Sequence, residues 1–256
     1  MYTEISVSAL ESTNQLIDFS NVFLQNTNTA EGNNENLRLV AGISLLKAGN
    51  LDPFTVEGKA AREAFFSLIG AGSDQVFYNH QVHSKEVLLI KKGSRKGTDA
   101  DGMVTNEKGI VLAVTAADCM PVFLFHKKTG VLGLCHSGWK GTGIAAEALF
   151  IMEKEMGIPA CEVFALLGPA IGSCCYNVDQ QRGDLFTEHR GGDARKIKDG
   201  QNYLDLRAAN KSLLQNSGVK HIVAVNACTV CSLNFGSYRR EGPENYTKMA
   251  AYLGWL

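Results

Sequence analysis

Two histidines and a cysteine carry the chemistry most readable in this chain: His83 in NHQVH, Cys119 in TAADCMP and His136 in GLCHSGWKG, spaced 36 and 17 residues apart. One thiolate and two imidazoles form a zinc-ligand set that leaves a fourth position for water or substrate. The intervals exclude a zinc finger, whose ligands come in close pairs, and require three chain segments to converge. The same trio admits two other chemistries. Cys119 with His136 composes a metal-free nucleophile and base. With Met103 or Met120 as an axial ligand, the set resembles that of blue copper. Spacing alone does not bring the three together, since a free cysteine is most often a buried structural residue.

Other segments offer supporting groups. Cys228-Thr-Val-Cys231 is a metal or thiol-exchange signal. A structural zinc site there would want a second pair, and Cys174-Cys175 is an awkward one because its members are adjacent. The glycine-rich run SGWKGTG lets backbone approach a ligand and then starts a helix, whose N-terminus favours anions. A plain strand-to-helix turn is the commoner use of such a run. Lys140 within it, and Arg239 in SYRR, are the candidate phosphate contacts. Asp99 and Asp101 in DADGMVTN offer carboxylates, with Asp101 expected on the substrate. His80 is the acid/base candidate because it lies near His83 in sequence. Side chains alternate along a strand, so Cys135 should enter the core if His136 faces a cleft.

The elements that must position these groups follow from periodicity. Strands are expected at 75–78, 86–91, 110–114, 122–125, 131–136, 163–167 and 221–225, and helices at 57–69, 142–156 and 206–215. Gly218 should close the last of these. Residues 20–36, rich in Asn, Thr and Gly, read as an exposed loop. Strands and helices mix without a strict βαβ repeat. This predicts an α/β fold of mixed α+β type, with layered sheets flanked by helices rather than a doubly wound sheet. No Pro/Ser-rich linker or long charge run divides the 256 residues, so one domain over 1–256 is expected.

Net charge is −1, which excludes bulk attraction to nucleic acid or anionic membrane. No stretch approaches the roughly 18–20 apolar residues that span a bilayer. The start, MYTEISVSALESTNQL, lacks a basic region followed by an apolar core. Seven cysteines, an odd number, then read as reduced thiols, and a cytoplasmic location is expected.

Taken together these motifs resemble the laccase-domain (YfiH-like) family. The resemblance rests on Asn79 to His83 for NQVH with His80 inserted, Asp99 to Thr105, Ala117 to Pro121, and His136 to Gly141 for HxGW(K/R)G. It continues in Gly168 to Val178 for GPxIGxCCYxV, and in Cys228 to Arg240. Order and spacing agree from about residue 75 to the C-terminus, leaving a divergent N-terminal part over 1–74. The resemblance implies a mononuclear zinc on His83, Cys119 and His136, with copper as the other metal. It implies phosphorolysis of adenosine, inosine and methylthioadenosine, with adenosine deamination as a further activity. The partners would be a purine nucleoside and phosphate, with no nucleic acid and no membrane, and the chain a monomer or homodimer. The family's name also points to phenol oxidation, although a trinuclear copper cluster demands more than the six histidines present. Three departures stand out. SNVFLQNTNTAEG occupies the place of TRxGGxS, Arg62 matches an Asn-Arg pair only loosely, and Thr247-Lys248-Met249 replaces Gly-Arg-Met.

Overall fold

Apolar residues alternate between two faces along nearly every long strand, and this sorts the chain into layers. The computed structural model describes residues 1–25, 37–190 and 194–256. In chain order the strands are β1 (Tyr2–Ile5), β2 (Glu11–Ser12), β3 (Leu16–Asp18), β4 (Leu39–Ser44), β5 (Val76–Tyr78), β6 (Val87–Leu89), β7 (Gly102–Thr105) and β8 (Val111–Ala116). They continue with β9 (Met120–His126), β10 (Val131–Ser137), β11 (Val163–Leu167), β12 (Asn177–Val178), β13 (Arg195–Lys198), β14 (Gln201–Leu204), β15 (His221–Val225) and β16 (Met249–Trp255). The helices are α1 (Ser20–Gln25), α2 (Val56–Leu68), α3 (Ile144–Met156), α4 (Gln180–Arg190), α5 (Leu206–Asn216) and α6 (Tyr238–Glu241).

A seven-stranded sheet runs β1-β15-β11-β9-β10-β7-β6 and a six-stranded sheet runs β2-β3-β4-β16-β8-β5. Both are mixed. For example, β9 pairs antiparallel with β10 and β11, whereas β15 pairs parallel with β1 and β11. A small sheet β12-β14-β13 stands apart from these two.

Along β9, Phe123 and Phe125 enter a core shared with Leu112, Val114, Met249 and Ala251 of the other sheet. Val122 and Leu124 instead meet Ala145, Ala148, Leu149 and Met152 of α3 and Ala209 and Leu214 of α5. On the far side of the six-stranded sheet, Val111, Ala113, Ala250 and Tyr252 pack on Phe65 and Phe66 of α2. The result is a helix–sheet–sheet–helix stack, the layered α/β arrangement expected from the sequence.

Most predicted elements appear within two residues of their expected ends, as boundary fraying allows. Gly218 follows α5 at φ +95°, and its N–H closes on Gln215. The exposed loop expected over 20–36 is corrected at its start. Residues 20–25 form α1, because Phe23 is fully buried and packs edge-on against Phe123, Phe125 and Phe164. The remainder of that stretch, 26–36, lies outside the described residues. The chain crosses between the two large sheets in the three-residue link from β8 to β9, and Cys119 lies in that link.

Candidate metal centre and its cavity

The link holding Cys119 is tightly built. Asp118 adopts φ +82°, a left-handed conformation uncommon for a residue with a side chain. Three contacts hold it there. Its carboxylate accepts the Thr229 hydroxyl at 2.6 Å and the Arg239 backbone N–H at 2.7 Å, and its carbonyl accepts the Ile171 N–H at 2.9 Å. His83, between β5 and β6, is also left-handed at φ +60°. The N–H groups on either side of it, from Val82 and Ser84, donate to Oδ2 of Asp101 at 3.2 and 2.6 Å, and the Ser84 hydroxyl adds a third bond at 2.8 Å. The other oxygen of Asp101 sits 2.9 Å from Nδ1 of His136, on β10. One wholly buried carboxylate therefore fixes the backbone around one imidazole and the ring of the other.

Under these constraints one ligand atom from each of His83, Cys119 and His136 lies within 4.8 Å of the others. The two imidazoles meet edge to face with centroids 5.0 Å apart. Gly138 makes room for them, since a Cβ there would stand 2.8 Å from Cys119 Sγ and 3.5 Å from the His83 ring.

The electrostatics favour a thiolate. Burial alone would push the Cys119 thiol up, but His136 and then His83 override it and bring the group down to about 6. Burial would lower His136, whereas the Cys119 sulfur and the Asp101 carboxylate raise it to about 9. Asp101 is held down to about 2, against its burial, by bonds from His136 and Ser84. Cys135 behaves oppositely. It faces the helix-side core, and burial takes it up to about 12, so it remains a thiol, as strand alternation predicts. A ready thiolate, and an imidazole whose Nδ1 is engaged by Asp101 so that Nε2 is the nitrogen turned toward Cys119, form a donor set that fits zinc or copper.

The trio lies in a cavity of roughly 430 Å³, within the range of small-molecule sites. Trp139, Tyr176, Tyr238 and Tyr246 supply aromatic walls, and Arg182, Arg239 and Lys248 supply positive charge. The two kinds are interleaved. Arg182 lies 4.9 Å from the Trp139 ring centroid and Arg239 lies 5.6 Å from that of Tyr176. Lys248 pairs with Asp52 at 2.6 Å.

Of the residues expected from sequence, His83, Cys119, His136 and Arg239 line this cavity. Three expectations are corrected. Asp101 is buried behind His136 and engages protein groups with both oxygens, so it positions the centre and does not reach substrate. Lys140 is exposed beside the outer ring of Trp139 and is not on the lining. His80 points away to an exposed pair with Asp99 at 2.8 Å and rests on Phe54. Met103 and Met120 are packed in apolar cores and do not line the cavity either. Arg62 is buried in α2 between the Phe66 and Tyr78 rings, outside this cavity.

Sequence reasoning missed Arg182, Lys248 and the three tyrosines. Lys248 carried a signal, because it occupies the place of an arginine in the motif Gly-Arg-Met. Arg182 carried none, since α4 has too weak an apolar face to be read as a helix.

Comparison with known proteins gives the family and the fold. Residues 52–255 match the family described as multi-copper polyphenol oxidoreductase laccase. The purine nucleoside phosphorylase YlmD of Geobacillus stearothermophilus is 33% identical over 194 residues, covering 68% of this chain and 70% of that protein. A purine nucleoside phosphorylase of Corynebacterium glutamicum is 34% identical over 211 residues, covering 80% and 83%. The crystal structure of YfiH from Bacillus licheniformis superposes with a TM-score of 0.83 at 24% identity, covering 95% of this chain and 97% of that one. The YlmD crystal structure superposes with a TM-score of 0.78 at 27% identity, covering 84% and 91%. On the match over residues 52–255 and the agreement in fold, this chain belongs to the multi-copper polyphenol oxidoreductase laccase family.

Proposed function

We propose that the cavity is the active site of a zinc-dependent purine nucleoside phosphorylase acting on adenosine, inosine and methylthioadenosine, with adenosine deamination as a further activity. The observation that carries this reading is the placement of the His83–Cys119–His136 trio in the same cavity as three cations and four aromatic rings. The curated relatives named as purine nucleoside phosphorylases support the same class.

His83, Cys119 and His136 would hold the metal, which when bound supplies a Lewis acid that can polarise an oxygen of phosphate or ribose, or activate water for deamination. Arg182, Arg239 and Lys248 bind and orient the phosphate. Trp139, Tyr176, Tyr238 and Tyr246 flank the purine with faces that every purine can stack on. Phosphate attacks C1′ as the bond from C1′ to the base nitrogen breaks, and that nitrogen leaves with the electron pair and takes up a proton, giving the free base and the sugar 1-phosphate (5-methylthioribose 1-phosphate from methylthioadenosine). Asp118 does not take part in the chemistry, because both its oxygens are already engaged. It keeps Cys119 and the Arg239 backbone in register.

Release of hypoxanthine from inosine tests the reaction class. The rate should depend on phosphate and be lost in Cys119→Ala. Unchanged release in phosphate-free buffer would show a hydrolase instead. Arg239→Ala should raise the KM for phosphate by about tenfold or more, the scale of one lost charge-assisted contact.

A second reading, a metal-free cysteine hydrolase, is favoured by one observation: Cys119 is held at about 6 beside His136. Chelation separates the two. Activity lost to chelator and restored by zinc supports the phosphorylase, whereas chelator-resistant activity abolished by alkylation of Cys119 supports the cysteine nucleophile.

A further inference from the structure

A second group of thiols converges outside the cavity lining, on the segment that precedes Tyr176 and on the CTVC turn. Among the described residues, Cys174, Cys175, Cys228 and Cys231 place their sulfurs within 4.8 Å of one another, and all four are free. Cys231 Sγ stands 3.7 Å from Cys174 Sγ and 3.4 Å from Cys175 Sγ. Four sulfurs at the tetrahedral corners about a zinc ion, each roughly 2.3 Å from it, lie about 3.8 Å apart. The adjacency of Cys174 and Cys175, which made them an awkward pair in sequence, does not keep their sulfurs apart in the fold.

We propose that these four cysteines form a second metal site, a tetrathiolate centre for zinc or a similar thiophilic divalent cation, with a structural role.

Three features favour a metal over disulfides. Cys231 is close to two partners, at 3.4 and 3.7 Å, and a disulfide can use only one of them. The Cys228 sulfur accepts the backbone N–H of Gly172 at 3.2 Å, which holds it against the segment that carries Cys174 and Cys175. Gly172 allows this approach, since a Cβ there would stand 3.1 Å from Cys174 Sγ and 3.3 Å from Cys228 Cβ. A tetrathiolate around a divalent ion is a closed, structural set, unlike the open trio in the cavity.

The site has a task in this fold. Ala170 and Cys228 pair as a bridge between the two cysteine segments. Thr229, inside the CTVC turn, donates to Asp118, and Ile171 bonds the Asp118 carbonyl. Arg240 clasps the carbonyls of Thr229, Val230 and Ser232, and Arg239 reaches that of Asn177. A metal joining the segments would therefore fasten the strained turn that presents Cys119.

Metal analysis tests the proposal independently of catalysis. Protein purified under reducing conditions should carry two equivalents of zinc per chain. Cys119→Ala should retain one, and the pair Cys228→Ser with Cys231→Ser should lose the tetrathiolate equivalent and unfold at lower temperature. If that pair does not fold, cobalt loading of Cys119→Ala gives the answer alone, because a tetrathiolate site produces intense sulfur-to-cobalt charge-transfer bands. Their appearance supports the proposal. Cys119→Ala protein that binds no zinc and shows no such bands, or whose four cysteines are recovered as two disulfides, overturns it. Failure of the phosphorylase reading would change the zinc content of the wild-type protein, but not the single equivalent or the cobalt bands expected of Cys119→Ala.

Discussion

At the residue scale the proposed centre depends on Asp101 as much as on the three residues proposed to hold the metal. A carboxylate bonded to the far nitrogen of a metal-binding imidazole fixes its tautomer and orientation. Asp101 does this for His136 and also ties down both flanks of His83. Asp101→Asn should weaken zinc binding by about 10–100-fold while the protein remains folded, as read by competition with a chromogenic chelator. Unaltered affinity would mean that the ligands are held by other contacts. That His83, Cys119 and His136 could act together was suggested in the sequence by their residue types, and their spacing alone did not bring them together. The role of Asp101 was not legible there, because an aspartate in a polar turn gives no sign of which way it faces. Its placement on substrate failed for that reason, as did His80, whose nearness to His83 in sequence ignores the reversal of direction at a left-handed residue.

At the element scale, the site forms where loops meet between two sheets, and glycines set how closely they meet. Gly138→Ala would drive a methyl group to 2.8 Å from Cys119 Sγ. We expect it to lower activity at least about tenfold and to loosen the metal. A wild-type rate with full metal content would contradict the packing described for the trio. Thr229→Val removes the hydroxyl that satisfies Asp118 in its strained turn. The cost should be about 1–3 kcal/mol by denaturant unfolding. The strands flanking these loops were readable from their short apolar runs. The pairing order was not, because hydrophobic alternation identifies a face without naming the neighbour across the sheet. The first strands and α1 were missed as well, since short polar-looking segments such as Glu11–Ser12 and Ser20–Gln25 owe their structure to tertiary partners.

At the scale of the whole molecule, two sheets share an aromatic core on which Phe123 is central, fully buried with Phe19 and Phe23 rings at 5.5 and 6.2 Å. Phe123→Ala should cost about 3–5 kcal/mol, read as a lower denaturation midpoint at unchanged slope. Because β9 begins one residue after Cys119, the same variant should also lower metal affinity, which a change in the helix-side core such as Leu214→Ala should do less. None of the described helices is long and apolar enough to cross a membrane, in line with the absence of any such stretch from the sequence. The layered class was legible from the irregular mixture of strands and helices. The layer count was not, because it depends on which strands bury both faces.

The account turns on one metal ion held between Cys119 and two imidazoles at the cavity wall. Anomalous diffraction at the zinc absorption edge, on crystals grown from zinc-replete protein, locates it directly. The account predicts a peak within bonding distance of Cys119 Sγ and of a ring nitrogen of both His83 and His136, open to the cavity on its fourth side. Well-ordered side chains at those three positions with no peak between them would contradict it.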